Sequence, residues 1–99
     1  MEKVRLVTFR KYLMLSCNRY FFFKGHKKYE QSLLIDITQN SGQFSLEFTN
    51  RDTNETIKIE NEFKETIEFP LIKGNRYSLQ VTAKGACGSY KIRKKTIKE

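Results

Sequence analysis

Apolar and polar residues alternate with a period of two through the middle of the chain. In a β-strand every second side chain faces the same side, so this alternation predicts strands with one buried and one exposed face. The apolar members of the five clearest segments are Leu33/Ile35/Ile37, Phe44/Leu46/Phe48, Ile57/Ile59, Ile67/Phe69 and Tyr77/Leu79/Val81/Ala83. The first of these segments also has Leu34 on its other face, which predicts a central strand.

Turn-forming residues lie between these segments. Asn, Asp, Ser and Gly tolerate left-handed backbone or make side-chain turns, and they are concentrated at 40–42, 50–54 and 73–75. The Lys-Gly-Asn sequence at 73–75 predicts a compact hairpin loop between the strands at 66–72 and 76–84. The chain therefore has the short strands and frequent turns of an antiparallel β-protein.

Proline and glycine limit the strands toward the C-terminus. Pro70 has no backbone N–H to donate, so its strand is predicted to lie at a sheet edge or to end there. Gly85 and Gly88 are predicted to interrupt the chain before a last strand that begins at Ser89 and ends near residue 93. The tail at 94–99 is predicted to fray.

The first thirty residues fit neither period cleanly. A short helix over 8–15 and a strand are both compatible with the spacing of the apolar residues. We favour a strand, because Thr8, Phe9 and Tyr12 have low helix propensity. The aromatic run at 20–23 predicts a further strand with side chains on both faces.

Seven or eight short strands, with turns about every 8–12 residues, are typical of an antiparallel β-sandwich. A small β-barrel is the alternative. The length of 99 residues fits one domain, residues 1–99, with one core. Only 38% of the residues are hydrophobic, but eight Phe and five Tyr can bury a large area per residue. We therefore expect a single folded all-β domain.

About half of the chain resembles a known class of module. The resemblance is carried by Gly-Gln-Phe-Ser-Leu at 42–46, by the run at 70–79 and by Gly-Ser-Tyr-Lys-Ile at 88–92. With these features, residues 42–92 resemble small bacterial β-sandwich modules of the pre-peptidase C-terminal or jelly-roll type. The resemblance implies a bacterial accessory or binding module and not a catalyst.

Charge is distributed unevenly along the chain, whose formal net charge is +8. Residues 1–30 carry eight Lys or Arg against two acidic residues, 31–70 carry three against eight, and 71–99 carry eight against one. If the first and last strands lie side by side, the fold would have one basic and one acidic face. A basic face attracts an acidic protein surface, a nucleic acid or anionic lipid, and its sign does not distinguish among them.

Few residues could carry catalysis or hold a metal. His26 is the single imidazole, so a nucleophilic pair would have to join it to Cys17 or Cys87. We interpret His26 as part of an exposed basic turn and the cysteines as small core residues. Whether the two cysteines pair with each other is left open. The glutamates between 60 and 68 are interpreted as a solvated face. We predict no enzymatic activity, no cofactor and no metal site.

The sequence also bears on the cellular compartment. No apolar run approaches the roughly 18 residues of a membrane span. Only about four apolar residues precede Cys17, where an export signal needs roughly 7–15. In the absence of a signal upstream, we expect an intracellular protein with reduced thiols.

The basic and aromatic residues of the two chain ends form the strongest candidate binding site. Cations and rings interleave between residues 19 and 29, as in surfaces that neutralise phosphates and stack bases. The competing interpretation is that the three phenylalanines at 21–23 fill the core, with at least one facing inward. The predicted site residues are Arg5, Arg10, Lys11, Arg19, Tyr20, Lys24, Lys27, Lys28, Lys91, Arg93, Lys94 and Lys95.

Three functions are compatible with these features. We favour a non-catalytic interaction module that uses segregated basic and acidic faces to engage a protein partner, either an acidic protein surface or a second copy of itself. The alternative is a small basic β-barrel that binds single-stranded nucleic acid. A small hydrolase is the third, and it requires His26 beside Cys17 or Cys87.

Overall fold

Six antiparallel strands make up the computed structural model, which describes residues 3–13, 17–60 and 64–98. The strands are β1 (Lys3–Leu13), β2 (Cys17–Lys24), β3 (Glu30–Asn50), β4 (Thr56–Glu60), β5 (Lys64–Leu71) and β6 (Arg76–Lys98). These described residues contain no helix, so the prediction of an all-β fold is confirmed. Residues 8–13 belong to a strand and not to the alternative helix over 8–15, whose last two residues lie outside the described part.

The two longest strands, β3 and β6, bend near their middle and run through two layers. The first layer has the order β1, the C-terminal half of β6, the N-terminal half of β3, and β5. The second layer has the order β2, the N-terminal half of β6, the C-terminal half of β3, and β4. Counted by halves, the sandwich has eight strands in the arrangement of a jelly roll, which confirms the predicted sandwich.

Glycines mark the bend between the layers. The register of β3 against β6 shifts between Gln39 and Gln43. Gly42 has a φ of 84° and Gly88 a φ of 133°, conformations that other residues rarely adopt. A Cβ atom at Gly88 would also collide with the carbonyl oxygen of Thr38. The sequence predicted interruptions at 40–42 and 85–88, but the glycines instead allow each strand to bend and continue.

The core lies between the two layers and is built largely from the alternating residues of β3 and β6. Aromatic rings bridge the layers: Phe48 stacks on Phe69 with 4.5 Å between ring centroids, and Phe44 meets Tyr90 edge to face at 5.5 Å. Alternation therefore predicted most of the core, although Ile57 is 49% exposed on β4. The buried apolar residues are Leu33, Ile35, Ile37, Phe44, Leu46, Phe48, Phe69, Leu71, Tyr77, Leu79, Val81, Ala83, Ala86, Tyr90 and Ile92.

Both layers have open edges. Within the described ranges, β1 and β2 pair only with β6, and β4 and β5 pair only with β3. The sheet therefore does not close into the alternative barrel. Pro70 lies opposite Ser32 in β5, and β5 is an edge strand, as the missing N–H of proline predicted. No helix in the described ranges is long and apolar enough to cross a membrane.

Two segments differ from the predictions. Residues 72–75 do not close a hairpin, because β5 pairs with β3 in the first layer whereas β6 begins beside β2 in the second. This connection crosses between the layers and is held by Gly25, whose N–H donates to the Asn75 carbonyl at 2.9 Å. The predicted tail at 94–99 is part of β6 as far as Lys98, and residue 99 lies outside the described residues. Residues 94–98 pair with β1 on one side and mostly with β3 on the other, so their backbone groups have partners.

Candidate functional site

The two basic ends of the chain are neighbours. β1 pairs with the C-terminal half of β6, which places Arg5 opposite Thr96 and Lys11 opposite Lys91. Because side chains alternate along a strand, the basic residues of these strands are divided between two faces. Lys91, Arg93 and Lys95 project from the outer face of the first layer, whereas Lys94 projects toward the space between the layers.

Carboxylates compensate much of the charge on the outer face. Arg93 donates a hydrogen bond from Nη2 to Oδ1 of Asp36 at 3.0 Å. Its Nε lies 2.7 Å from Oδ2, an ion-pair distance without the alignment of a hydrogen bond. Lys95 reaches across β3 to Glu68 of β5, with Nζ 3.0 Å from Oε2. Asp36 and Glu68, from the acidic middle of the chain, are therefore the counter-ions of Arg93 and Lys95 at its basic C-terminal end.

These contacts change the pKa values of the two carboxylates. Burial by itself would raise the pKa of Asp36, but hydrogen bonds from the Thr66 hydroxyl and from Arg93 outweigh it and lower the pKa below its ordinary value. The hydrogen bond from Lys95 is the main cause that lowers the pKa of Glu68. Both carboxylates are therefore ionised at neutral pH.

A cleft of about 490 Å³ opens on the inner side, between β1, β2 and β6. We call it the aromatic cleft. Its lining combines rings and one aliphatic side chain with two lysines, and it contains no carboxylate and no side-chain amide. The lining residues are Tyr12, Phe21, Phe22, Phe23, Lys24, Ile92 and Lys94.

Strand alternation builds the floor of the aromatic cleft. Phe21 and Phe23 face inward and are packed against the core, whereas Phe22 is 66% exposed at the rim. Tyr12 fixes the position of Phe21, because the two rings meet edge to face with centroids 5.1 Å apart. On its other side, Tyr12 stacks on the buried ring of Tyr90 at 5.2 Å. The expectation that at least one of the three phenylalanines faces inward is confirmed.

Two cations at this cleft, Lys94 and Arg19, belong to none of the ion pairs formed within residues 3–13, 17–60 and 64–98. Burial lowers the pKa of Lys94, whose Nζ lies 3.5 Å from the Lys24 carbonyl oxygen, at the limit of a hydrogen bond. None of the ion pairs in the described ranges includes Lys94. The Arg19 guanidinium lies over the Tyr12 ring, 5.1 Å from its centroid. The cleft is thus apolar inside and positively charged at its rim.

The structure separates the remaining predicted site residues. Tyr20 is exposed on the outer face of the second layer, and Lys27 and Lys28 are exposed in the segment that joins β2 to β3. Arg10 lies opposite Ile92 in β1, and its side chain is outside the described part. Of the twelve residues predicted, Lys24 and Lys94 line the aromatic cleft and Arg19 lies beside it.

Sequence reasoning did not assign Tyr12 or Ile92 to a site. The sequence does contain a signal for this face of β6. Tyr90, Ile92 and Lys94 are every second residue of one strand, so their side chains must lie on the same face. A lysine that continues an inward apolar face is the unusual feature that could have located the cleft.

His26 and the two cysteines do not come together. His26 is exposed at the end of β2, and its Nδ1 accepts hydrogen bonds from the backbone N–H groups of Lys28 at 3.0 Å and Tyr29 at 3.3 Å. Cys17 begins the same strand, about 23 Å from its end at ~3.3 Å per residue. Cys87 lies in the bend of β6, opposite Ser41. A Cys–His pair is therefore excluded by position.

The interpretation of Cys87 as a core residue is wrong. Its thiol is free and exposed. The side chain of Cys17 lies outside the described part. In the ranges 3–13, 17–60 and 64–98, no group of three or more His, Cys, Asp or Glu is placed to hold a metal ion.

No protein-family model matches the chain, and no curated protein sequence matches it. In fold, the chain is similar to a chain from a solved structure of Bacillus endospore appendages, a novel family of disulfide-linked pili. The TM-score is 0.60 at 8% sequence identity, and the match covers 97% of this chain and 86% of that chain. For the resemblance of residues 42–92 to small bacterial β-sandwich modules, this likeness supports only the small β-fold.

Proposed function

We propose that this protein is a non-catalytic interaction module whose partner is a second copy of itself, bound edge to edge. The observation that carries the proposal is the placement of charge on the two open edges. The edge formed by β1 and β2, which we call the basic edge, has no acidic residue and six basic ones: Lys3, Arg5, Arg10, Lys11, Arg19 and Lys24.

The opposite edge has the opposite sign. It is formed by β4 and β5, which belong to the segment 51–71, and this segment carries six acidic residues against three basic ones. We call it the acidic edge. Oppositely charged edges on one molecule favour head-to-tail pairing of copies, and an interface of this kind builds open chains when the rotation does not close.

The exposed apolar side chains of β1 also support strand pairing. An unpaired edge strand offers free backbone groups as a template for another chain. β1 spans 11 residues without proline. Its exposed apolar residues are Val4 at 57%, Leu6 at 51%, Val7 at 38% and Leu13 at 66%. The fold shared with a pilus protein is consistent with a chain that assembles with itself.

The test is the variant Arg5→Glu/Lys11→Glu, which leaves the basic edge with four basic and two acidic residues and so lowers its net charge from +6 to +2. We expect the wild type to self-associate at low salt and this variant to associate much more weakly, measured by sedimentation velocity with a reducing agent present. The matched control is Lys27→Glu/Lys28→Glu, which makes the same change of net charge in the exposed connection between β2 and β3, outside the edge strands. Association of the control should equal that of the wild type.

A second variant completes the test. Glu60→Lys/Glu68→Lys in the otherwise unchanged chain takes segment 51–71 from six acidic and three basic residues to four acidic and five basic ones. Both edges are then positive, so head-to-tail pairing should be lost in this variant as well. Equal loss of association in the control and the basic-edge variant would show that only net charge matters. A wild type that stays monomeric at every concentration would exclude self-association and leave an acidic surface on another protein as the partner of the basic edge.

One observation favours nucleic-acid binding as a second candidate function. Tyr20 and Phe22 project from the outer face of β2 and are 58% and 66% exposed, with the Arg51 guanidinium 5.5 Å from the Phe22 centroid. Exposed rings beside cations are suited to stacking single-stranded bases. Tyr20→Ser/Phe22→Ser should then weaken oligonucleotide binding, whereas Ile72→Ser, another exposed apolar residue, should not. Affinity that does not fall with increasing salt would contradict this function.

A further inference from the structure

We propose that the aromatic cleft binds an amphiphilic anion, a molecule with an apolar tail and a carboxylate head, and that the head lies at Lys94. The cleft shares β1, β2 and Lys24 with the basic edge, but none of the residues substituted in the self-association test lines it, so the two functions can be tested independently.

The size and lining of the cleft fit an apolar tail. Its volume of about 490 Å³ lies within the usual range for small-molecule sites. Ile92 and the inward rings of Phe21 and Phe23 offer aliphatic and aromatic contact, and Tyr12 is held in place by its contacts with Phe21 and Tyr90. The contact surface is therefore preformed, which lowers the entropic cost of binding.

The charge at the cleft fits an anionic head. An ammonium group that is partly withdrawn from water is stabilised by a counter-charge, and Lys94 has no carboxylate partner in the described ranges. The neighbouring Lys95 provides the contrast, since it pairs with Glu68 on the outer face. Lys24 on the lining and Arg19 beside it add further positive charge, so a cationic head would be repelled.

The same lining disfavours a nucleotide in this cleft. Recognition of a base requires hydrogen bonds to its edge, and apart from Tyr12 and the lysines the cleft has no polar side chain to make them. The nucleic-acid candidate function depends on Tyr20 and on the outer side of Phe22, so it shares only the rim residue Phe22 with the cleft.

The experiment is a calorimetric titration of the whole chain with dodecanoate, dodecanol and dodecylammonium, all below the concentrations at which they form micelles. We expect dodecanoate to bind with one site per chain, dodecanol more weakly, and dodecylammonium not at all. Lys94→Met should weaken dodecanoate at least about tenfold, equivalent to about 1.4 kcal/mol, and leave dodecanol unchanged. Lys95→Met is the matched control and should bind dodecanoate like the wild type.

A second measurement locates the ligand and does not depend on any variant. Dodecanoate should shift the backbone amide resonances of Tyr12, Phe23 and Lys94 in NMR spectra, and leave those of the outer face near Glu68 unchanged. The proposal is overturned if Lys94→Met and Lys95→Met bind alike, if all three ligands bind equally, or if the shifts lie away from the cleft. Binding by the Arg5→Glu/Lys11→Glu variant should match the wild type, which separates this site from the basic edge.

Discussion

The two faces of the C-terminal half of β6 place the same type of residue in opposite environments. On the outer face, Lys95 pairs with Glu68 at 3.0 Å and Arg93 pairs with Asp36. On the inner face, Lys94 follows the buried Ile92 into the aromatic cleft and has no carboxylate partner in the described ranges. Two lysines adjacent in sequence therefore have different environments: Lys95 forms an ion pair on the outer face, and Lys94 lines the aromatic cleft.

The difference follows from the position of β6 in the sheet. In the first layer β3 pairs with β6 and β5 pairs with β3. On the outer face of this layer they carry Asp36 and Glu68, whose side chains reach Arg93 and Lys95. The inner face meets aromatic residues from β1 and β2, which carry no acidic residue. Charge compensation in this fold is therefore decided by which strands lie next to a lysine, and not by its neighbours in sequence.

The largest expected effect concerns the inner face. Ile92 is 1% exposed, so Ile92→Ala removes buried apolar contacts and leaves a cavity. We expect it to lower the free energy of unfolding by about 2–5 kcal/mol, measured by urea denaturation. Lys91→Ala changes the preceding residue on the outer face and should stay within about 0.5 kcal/mol of the wild type. Similar losses in both variants would contradict the assignment of the two faces.

The second prediction concerns the ion pair of the outer face. Asp36 and Arg93 have side chains only 25% and 26% exposed, so Asp36→Asn leaves a partly buried guanidinium without its counter-ion. We expect a loss of about 1–3 kcal/mol at neutral pH. Glu55→Gln removes one negative charge in the exposed turn after β3 and should have little effect.

The pH dependence of the same variant provides an independent check. Because the pKa of Asp36 is lowered in the folded state, its stabilisation is present above the ordinary pKa of an aspartate and is lost as the pH falls through the folded value. The difference between the wild type and Asp36→Asn should therefore shrink on acidification, as measured by denaturation at a series of pH values. A difference that stays constant down to low pH would show that Asp36 acts through packing and not through charge.

Much of the fold could be predicted because its signal is local. Alternation at Phe44/Leu46/Phe48 and at 77–83 depends only on which side of a strand each residue faces, and the structure confirms both. The continuity of β3 and β6 was not predictable in this way. The glycines at the bend also fit ordinary turns, and only pairing with distant strands decides that the chain bends and continues.

The candidate site was less accessible to sequence reasoning. The sequence indicated that cations and rings concentrate at the two ends, and the pairing of β1 with β6 brings those ends together. The sequence could not show which cations form ion pairs on the outer face and which lie at the aromatic cleft. Asp36 and Glu68 are separated from their partners, Arg93 and Lys95, by long stretches of chain. Such non-local contacts have no short-range signature.

The smallest expected effects concern the two neighbouring lysines, Lys94 and Lys95, whose substitution should change the free energy of unfolding in opposite directions. Lys95→Met removes a partly exposed ion pair with Glu68 and should lower stability by about 0.2–1 kcal/mol. Lys94→Met replaces a partly buried ammonium with an apolar side chain of similar length; because much of the ammonium's burial penalty is screened by solvent, we expect stability to rise by at most about 0.5 kcal/mol. Both values are measured by urea denaturation without ligand.

The gain from Lys94→Met should also depend on pH. Burial lowers the pKa of Lys94, so the folded state resists its charged form, and this penalty is present at neutral pH. As the pH rises through the folded pKa, the wild type loses the charge and gains stability, and its difference from Lys94→Met should narrow. If both methionine variants are instead destabilised equally at every pH, Lys94 has an unseen counter-ion and the two faces of β6 are electrostatically alike.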